Sequence, residues 1–261
     1  MQFPVLRAER LTARLASTMW DRVDVVASTG STNLDLAAAA RGGARGPRVL
    51  IAGEQTAGRG RMARSWESPA GSSVAMSVLL EPEQGWEAWG WLSLLAGCAV
   101  SAALEELAPE GVDVALKWPN DVLVDGGKVC GILSERIEHP AGARAVVGMG
   151  INLSLRRDEL PVPHATSLAL AGYTAGAEDV VVAVLEHFER YYNFWERDGT
   201  LREAYTARCA SIGAELTISI AGEAPKPGVG RGVDDDGRLI VETADGLETF
   251  AVGDVVHARL A

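Results

Sequence analysis

The chain has 261 residues, 48% of them hydrophobic and 23% charged, which is ordinary usage for a globular protein that buries a core. Its net charge of −11 argues against general affinity for nucleic acid, because such binding depends on neutralising phosphates. No apolar stretch approaches the roughly 20 residues of a membrane span, and the charged N-terminus has no secretory signal core. We therefore expect a cytoplasmic protein with no nucleic-acid partner and no membrane partner. The few cysteines and histidines are scattered and form no metal-binding pattern.

Hydrophobic periodicity predicts mixed helices and strands in the first half of the chain. The elements, in order, are a helix at 6–17, a strand at 22–28, a helix at 34–41 capped by Ser31 or Thr32 and stopped at Gly42-Gly43, strands at 47–55 and 72–80, and a helix at 86–108. A long Gly/Arg loop is predicted between the last two strands. Three tryptophans in the last helix, at 86, 89 and 91, are interpreted as core or interface residues.

The second half of the chain becomes rich in short strands. Predicted strands at 112–118, 121–125, 128–137 and 143–153 precede two helices at 178–199 and 201–210, and five further strands follow at 215–220, 228–233, 238–243, 247–252 and 254–260. This order predicts an α+β protein. A domain at 1–211, with a mixed β-sheet flanked by helices, is expected to precede a small β-barrel at 212–261.

Lysine usage gives the first indication of a site. Only three of the 24 basic residues are lysines, and two of them, Lys117 and Lys128, bracket the segment KWPNDVLVDGGK. An ammonium group is a compact point charge that can follow one oxygen through a reaction, whereas arginine offers a rigid planar fork. The pair therefore predicts a site that handles an anion. Lys226, in a loop, is interpreted as a surface residue.

The segment from Thr56 to Trp66 carries three arginines and no acid. Its glycines allow close backbone approach, and its arginines suit bidentate recognition of phosphate or carboxylate. Trp66 offers a flat surface for stacking. The pattern indicates a nucleotide or acyl-phosphate site, against the alternative of a flexible, solvated basic loop. It is not a Walker loop, because no Gly-Lys-Ser/Thr follows.

Two further segments place polar or small residues beside strands. Pro119 predicts a rigid kink before Asn120 and Asp121, which either form an ordinary Asx turn or put Asp121 near a magnesium ion or a ligand amine. In the strands GILSE and GMGIN, Gly131 and Gly150 allow a ligand or a second strand to come close.

Together, these motifs in this order resemble those of the biotin protein ligases. The matching elements are STN at 31–33, EQTAGRGR…R.W at 54–66, KWPNDV at 117–122, GGKVCGILSE at 126–135 and GMGIN at 148–152. The resemblance covers most of the chain. It corresponds to the short form without an N-terminal DNA-binding domain.

The resemblance implies a catalytic domain similar to class II aminoacyl-tRNA synthetases and lipoate ligases, followed by an SH3-like barrel. It also implies two half-reactions. Biotin and ATP, with Mg²⁺, form biotinyl-5′-AMP, and a lysine of a biotin carboxyl carrier domain of an acyl-CoA carboxylase then accepts the biotinyl group. Family precedent allows a homodimer.

The resemblance assigns a role to each matching residue. Catalysis is expected from Lys128, Arg61 and Asp121, with Asp121 also the candidate magnesium ligand. The expected biotin-binding residues are Ser31, Thr32, Asn33, Gln55, Gly58, Arg59, Gly60, Arg61, Lys128, Gly131 and Gly150. The expected ATP-binding and adenylate-binding residues are Arg59, Arg61, Arg64, Trp66, Lys117, Asn120, Lys128 and Asn152.

Two alternatives stay open at this point. Lipoate or octanoate attachment is catalysed by relatives of the same fold, although the GRGR loop together with KWPND favours biotin. A biotin-sensing module without turnover is a different class of protein. Lys128 within a complete motif set argues against pure sensing, because sensing does not require an acyl-transfer lysine.

Overall fold

A computed structural model describes residues 6–251 and 253–257, apart from the side chains of residues 63, 67 and 68. The helices are α1 (Ala8–Arg14), α2 (Thr32–Arg41), α3 (Trp91–Leu107), α4 (Ala177–Asp198) and α5 (Arg202–Thr206). The strands are β1 (Arg22–Val26), β2 (Arg48–Ala52), β3 (Gln55–Arg59), β4 (Ser65–Ser68), β5 (Ser73–Leu80), β6 (Val114–Lys117), β7 (Asp121–Val124), β8 (Gly127–Ile137), β9 (Arg144–Asn152), β10 (Glu215–Ser219), β11 (Lys226–Val233), β12 (Leu239–Thr243), β13 (Gly246–Phe250) and β14 (Asp254–His257). The predicted strand ends at 252 and 258–260 lie outside the described residues.

Seven strands form one mixed sheet in the order β1-β2-β5-β9-β8-β7-β6. The pair β1–β2 is parallel and every other pair in this sheet is antiparallel. The predicted α+β class with a mixed sheet is therefore confirmed. At the predicted hairpin turn between β7 and β8, Asp125 and Gly126 both have positive φ angles, 47° and 74°, as a tight two-residue hairpin requires.

Helices cover both faces of this sheet because its strands alternate apolar side chains between them. Leu79 and Val146 pack with α2 on one face. Val78 and Val147 belong to the larger core with α3 and α4 on the other face. The segment 86–107 has the length and apolar composition to span a membrane, but 72% of its most apolar window is buried inside the fold. Such burial is typical of a core helix.

The C-terminal residues form a second, antiparallel sheet in the order β13-β12-β11-β10-β14. Its core side chains include Leu216, Ile218, Val241 and Val255. The order leaves β13 and β14 as edges, so the described residues form an open five-stranded sheet, and the expected closed barrel is not seen in them.

Three predicted elements differ from the structure. The pattern at 86–108 divides into a 3-10 turn at Trp86–Gly90 and α3, so that Trp91 is buried while Trp86 is 64% exposed. The helix predicted at 201–210 is shorter, since residues 208–210 pair instead with Leu116 beside the main sheet. The predicted long loop contains the two-stranded sheet β3–β4.

The β3–β4 hairpin forms despite its charge because its arginines pair with other parts of the chain. Arg59 binds Glu135, Arg61 binds Asn120 and Arg64 binds Asp254, so the guanidinium groups are separated. Backbone bonds from Thr56 and Ala57 to residues 29 and 30 also fix the start of the hairpin.

Candidate active site

A cavity of about 290 Å³ lies on the α2 side of the main sheet, beyond the N-terminus of that helix. Its floor is flat because two glycines, Gly131 on β8 and Gly150 on β9, are directly opposite each other in the sheet register. Two residues further along the strands, Leu133 is opposite Gly148. After another two residues, Glu135 is opposite Val146, and this pair approaches α2. The sheet therefore changes from side chains under the helix to bare backbone at the cavity, where a flat group can lie.

The indole of Trp66, on β4, lies directly over this glycine floor. A Cβ atom added to Gly150 would come within 2.4 Å of Trp66 Cε2, and one added to Gly131 within 2.8 Å of Cζ3. The Lys128 Nζ atom lies 5.8 Å from the centre of the indole ring, within the range of a cation–π contact. Trp66 therefore joins the Gly/Arg hairpin to the floor, and both glycines are needed for this fit.

The two motif lysines and Asp121 form the charged end of the cavity. The Lys128 Nζ atom lies 2.5 Å from Asp121 Oδ1, and both side chains are largely buried. Lys117 is opposite Asp121 in the β6–β7 register. Burial lowers the pKa of Lys117, the Asp121 charge opposes this effect, and the Lys128 charge adds to it. The carboxylate thus pairs with one ammonium group and acts electrostatically on the second, and both lysines line the same end of the cavity.

The hairpin turn brings guanidinium groups to the same end. Arg61 donates hydrogen bonds to Asn120 Oδ1 and to the Gly253 carbonyl, each over 3.2 Å. Burial lowers the pKa of Arg61, and Asp121 partly opposes this effect. Arg64 pairs with Asp254. The left-handed position in this turn is occupied by Met62, with φ 54°, and not by a glycine.

The charge of the cavity is opposite to that of the protein. Five basic side chains line it, against two acidic ones, although the whole chain carries a net charge of −11. The lining cations are Arg59, Arg61, Arg64, Lys117 and Lys128, and the lining acids are Asp121 and Asp254. This arrangement concentrates positive potential where a small anion could bind.

The opposite end of the cavity is lined by neutral hydrogen-bonding groups at the start of α2. The Thr32 N–H donates to Gln55 Oε1 over 2.8 Å, so Gln55, rather than a Ser31 or Thr32 side chain, caps the helix. The Thr32 hydroxyl contacts Ser77 Oγ, which donates to Asn33 Oδ1 over 2.7 Å. This end can offer amide and hydroxyl groups to a neutral polar ligand group.

Asn33 has most of its hydrogen-bonding capacity used within the protein. Its amide nitrogen donates to the Leu133 carbonyl over 3.1 Å and to Glu135 Oε2 over 2.9 Å. Its oxygen would lie only 2.1 Å from a Cβ atom on Gly148. Asn33 therefore fastens α2 to β8, besides lining the cavity.

Replacing Asn33 with leucine should reduce the free energy of unfolding by about 1–3 kcal/mol, because buried polar partners lose their hydrogen bonds. The urea midpoint measures this change. Leu34→Asn is the matched control on the next residue, which is 44% exposed, and we expect it to shift stability by no more than about 0.5 kcal/mol. Equal effects of the two substitutions would contradict the role given to Asn33.

The structure brings together nearly all the residues that the sequence indicated. The cavity is lined by Ser31, Thr32, Asn33, Gln55, Arg59, Gly60, Arg61, Arg64, Trp66, Lys117, Asn120, Asp121, Lys128, Gly131 and Gly150. Gly58 and Asn152 are not among the lining residues. Gly58 instead permits the close approach of β3 to β4, since a Cβ atom there would meet the Trp66 carbonyl at 2.3 Å. The amide of Asn152 donates to the Thr166 carbonyl.

The residues at or beside the cavity that were not assigned from the sequence include four with polar or charged side chains: Ser77, Glu135, His164 and Asp254. Ser77 and Glu135 complete the Asn33 network, while His164 and Asp254 line the cavity. The carbonyl of His164 accepts the Lys128 N–H. Glu135 ends the motif GGKVCGILSE, which could have indicated it. The other three lie far from the motifs or in ordinary strand patterns, so no local signal identifies them.

Comparison with known proteins gives the family of the chain. Residues 26–152 match the biotin/lipoate A/B protein ligase family, and residues 222–258 match the biotin protein ligase C-terminal domain. The chain is 39% identical to the biotin–[acetyl-CoA-carboxylase] ligase of Mycobacterium tuberculosis, over 94% of this chain and 92% of that protein. It is 35% identical to the enzyme of that name from Paracoccus denitrificans, over 88% and 98% of the two chains.

A solved structure gives the same result for the fold. The biotin protein ligase of Aquifex aeolicus in complex with biotin and ATP superposes with a TM-score of 0.76 at 26% identity, covering 92% of this chain and 100% of that one. The similarity extends over both the main sheet and the C-terminal sheet. The chain therefore belongs to the biotin protein ligase family.

Proposed function

We propose that the protein ligates biotin to a lysine of a biotin carboxyl carrier domain, with ATP as the energy source and biotinyl-5′-AMP as the intermediate. The observation that carries this proposal is the cavity itself. A glycine floor lies under Trp66, neutral hydrogen-bonding groups line one end, and Lys128 with the hairpin arginines lines the other. The Aquifex aeolicus relative was solved with biotin and ATP, the two substrates that this arrangement suits.

In the first half-reaction, a carboxylate oxygen of biotin attacks the α-phosphorus of ATP and the bond to pyrophosphate breaks. Charge moves onto phosphate oxygens, so fixed cations stabilise the transition state more than the separated reactants. Lys128 is the ammonium best placed to contact the carboxylate and then the phosphate, because it lies beside the glycine floor. Arg61 and Arg64 would neutralise the nucleotide from the hairpin.

In the second half-reaction, the neutral amine of the carrier lysine attacks the carbonyl carbon of the mixed anhydride. The bond from that carbon to the AMP oxygen breaks, AMP leaves, and the attacking nitrogen loses a proton to form the amide. The hairpin would exclude water from the anhydride until the carrier arrives. The ligase names of the Mycobacterium and Paracoccus relatives include acetyl-CoA carboxylase, which supports a carboxylase carrier domain as the partner.

Magnesium is proposed as the metal that accompanies ATP, with Asp121 as its candidate ligand. The described residues contain no group of three His, Cys, Asp or Glu side chains arranged to hold a metal. One carboxylate fits Mg²⁺ nevertheless, because that ion is usually held by one or two carboxylates together with substrate phosphates. When bound, it would neutralise phosphate charge, and Asp121 would exchange part of its contact with Lys128 for the metal.

Two finer features of the fold belong to the same proposal. We propose that the C-terminal five-stranded sheet is an SH3-like unit and that the main sheet is related to class II aminoacyl-tRNA synthetases. The family match of residues 222–258 supports the first of these. A homodimer and a cytoplasmic location stay predictions from the sequence.

Biotin-dependent exchange of pyrophosphate into ATP separates this proposal from its alternatives. We expect exchange with biotin and none with lipoate or octanoate, and the intact mass of a carrier domain should then increase by one biotinyl group. Exchange driven by lipoate would assign the sister activity. Biotin binding without exchange would indicate a sensing module.

A further inference from the structure

Trp118 is held from two sides at the joint between the two sheets. It follows β6 in the KWPND segment and is only 2% exposed. Its backbone N–H donates to Ser211 Oγ over 3.2 Å, and its indole N–H donates to the Gly237 carbonyl over 3.1 Å. Gly237 lies in the turn between β11 and β12 of the C-terminal sheet. The turn that carries Asn120 and Asp121 is therefore fixed in part by residues beyond the main sheet.

Ser211 links Trp118 to a second residue of the C-terminal sheet. Its hydroxyl oxygen lies 2.9 Å from His257 Nε2 on β14, and Ser211 is fully buried. The hydroxyl accepts the Trp118 N–H, so its own proton can be donated to the imidazole, which is a stronger acceptor than the neighbouring Cys209 sulfur. Such a chain is complete when His257 is neutral, with Nε2 as the acceptor. If Nε2 carried a proton, it would become a second, charged donor to the serine oxygen and weaken the bond from the Trp118 N–H, and the buried serine O–H would lose this acceptor.

The charges around His257 favour its neutral form. From the main sheet, the Lys117 ammonium faces it, and behind Lys117 lie the Asp121 and Lys128 charges of the cavity. On β10 its cross-strand neighbour is the apolar Leu216. The side chains of Asp254 on β14 and Glu215 on β10 lie on the sheet face opposite to that of His257, because side chains alternate between faces along a strand. Burial lowers the pKa of His257 below its ordinary 6.5, and the Lys117 charge lowers it further.

We infer that Ser211 and His257 are positioning residues for the ligation reaction, holding the Trp118 backbone, and with it the Lys117–Asp121 turn, most firmly while His257 is neutral. This inference rests on the proposed function for its effect on catalysis, but the hydrogen-bond chain stands on contacts of its own. Neither residue lines the cavity, so Ser211 acts through Trp118, while His257 acts through Ser211 and through its charge on Lys117. The C-terminal sheet thereby sets the geometry of the lysines from behind the site.

The contribution of this hydrogen-bond chain to stability depends on pH through His257. Above about pH 6.5 the imidazole is neutral in both the folded and the unfolded chain, so the contribution to stability is fully present. As pH falls below that value the unfolded chain gains a proton first, because the folded pKa is lower, and the contribution is lost. Positioning of Trp118 should weaken over the same acidic range, near and below the folded pKa.

Hydrogen exchange of the Trp118 backbone amide, measured by NMR in the full chain, tests the chain of contacts directly. Between about pH 7.5 and the lowest pH at which the chain stays folded, we expect its protection, corrected for intrinsic exchange, to fall about tenfold or more in the wild type. His257→Gln should keep the protection at both values, since its amide oxygen accepts from Ser211 and does not titrate. In Ser211→Ala, the Trp118 amide should be poorly protected at both pH values. His139→Gln, in an exposed turn, is the control and should behave as wild type.

Activity gives the second measurement. The kcat of biotin-dependent pyrophosphate exchange should fall on the acid side in the wild type and in the His139→Gln control, while His257→Gln should lose most of that acid dependence and keep its rate at neutral pH. The inference would be overturned if the Trp118 amide lost as much protection at acidic pH in His257→Gln as in the wild type. Full protection of this amide in Ser211→Ala would overturn it as well. If the wild type showed no biotin-dependent exchange at any pH, the proposed function would fail, and the amide protection would still decide the positioning role.

Discussion

Lys128→Ala is expected to reduce biotin-dependent pyrophosphate exchange by about 10²–10³-fold, the effect of removing one preorganised charge contact from a transition state. The effect is large because of where the Lys128 ammonium group lies. Lys128 Nζ lies beside the glycine floor and Trp66, and Asp121 is its ion-pair partner at 2.5 Å. Lys117 does not replace it, because Lys117 lies on β6, beyond Asp121 and away from the glycine floor that Lys128 contacts. The rate of exchange at saturating biotin and ATP measures the loss.

Two variants make this prediction specific. Lys128→Arg keeps the charge but replaces a compact ammonium with a planar fork, so we expect it to recover little of the activity. Lys226→Ala removes the remaining lysine, which pairs with Glu248 on the C-terminal sheet away from the cavity, and it should leave exchange unchanged. Retention of activity in Lys128→Ala would remove this residue from the mechanism.

Gly150→Val is expected to reduce kcat/KM for biotin by about 100-fold or more while leaving the protein folded, because a small displacement of reacting groups has an effect of that size. A Cβ atom at this position comes within 2.4–2.5 Å of two atoms of the Trp66 ring. The ring is rigid, so the hairpin must move away from the floor. When biotin takes the place of the indole on the floor, the valine side chain would still project into that space.

The matched control is Gly232→Ala in β11, where an added Cβ atom meets nothing within 4 Å. This variant should bind biotin like the wild type. Circular dichroism and thermal unfolding check that both variants fold, and calorimetry measures biotin affinity. Wild-type biotin affinity in folded Gly150→Val would mean that the ligand does not lie on this floor.

The sequence predicts the floor and the charged end of the cavity well because both depend on local motifs. A glycine within an apolar strand indicates close approach, and Gly131 and Gly150 are indeed opposite each other. Likewise, the clustering of Lys117 and Lys128 predicts a shared anion site, and the structure places both beside Asp121. In each case the signal lies in a few neighbouring residues.

The β3–β4 hairpin could not be predicted in the same way. Its arginines favour an open loop when considered alone, and they form a hairpin because partners at Glu135, Asn120 and Asp254 come from distant parts of the chain. The left-handed turn residue is Met62, although glycines lie close by and the penalty for a side chain is about 1–2 kcal/mol. Contacts of long sequence separation therefore determine this part of the site.

A crystal structure with biotin and ATP tests the central claim most directly. We expect biotinyl-5′-AMP with its biotin rings on Gly131 and Gly150, in place of the Trp66 indole that has moved off the floor, its ureido group toward Thr32 and Gln55, and its phosphate within hydrogen-bonding distance of Lys128 Nζ. Binding of the nucleotide or of biotin elsewhere, with Lys128 still paired only to Asp121 and the cavity empty, would contradict it.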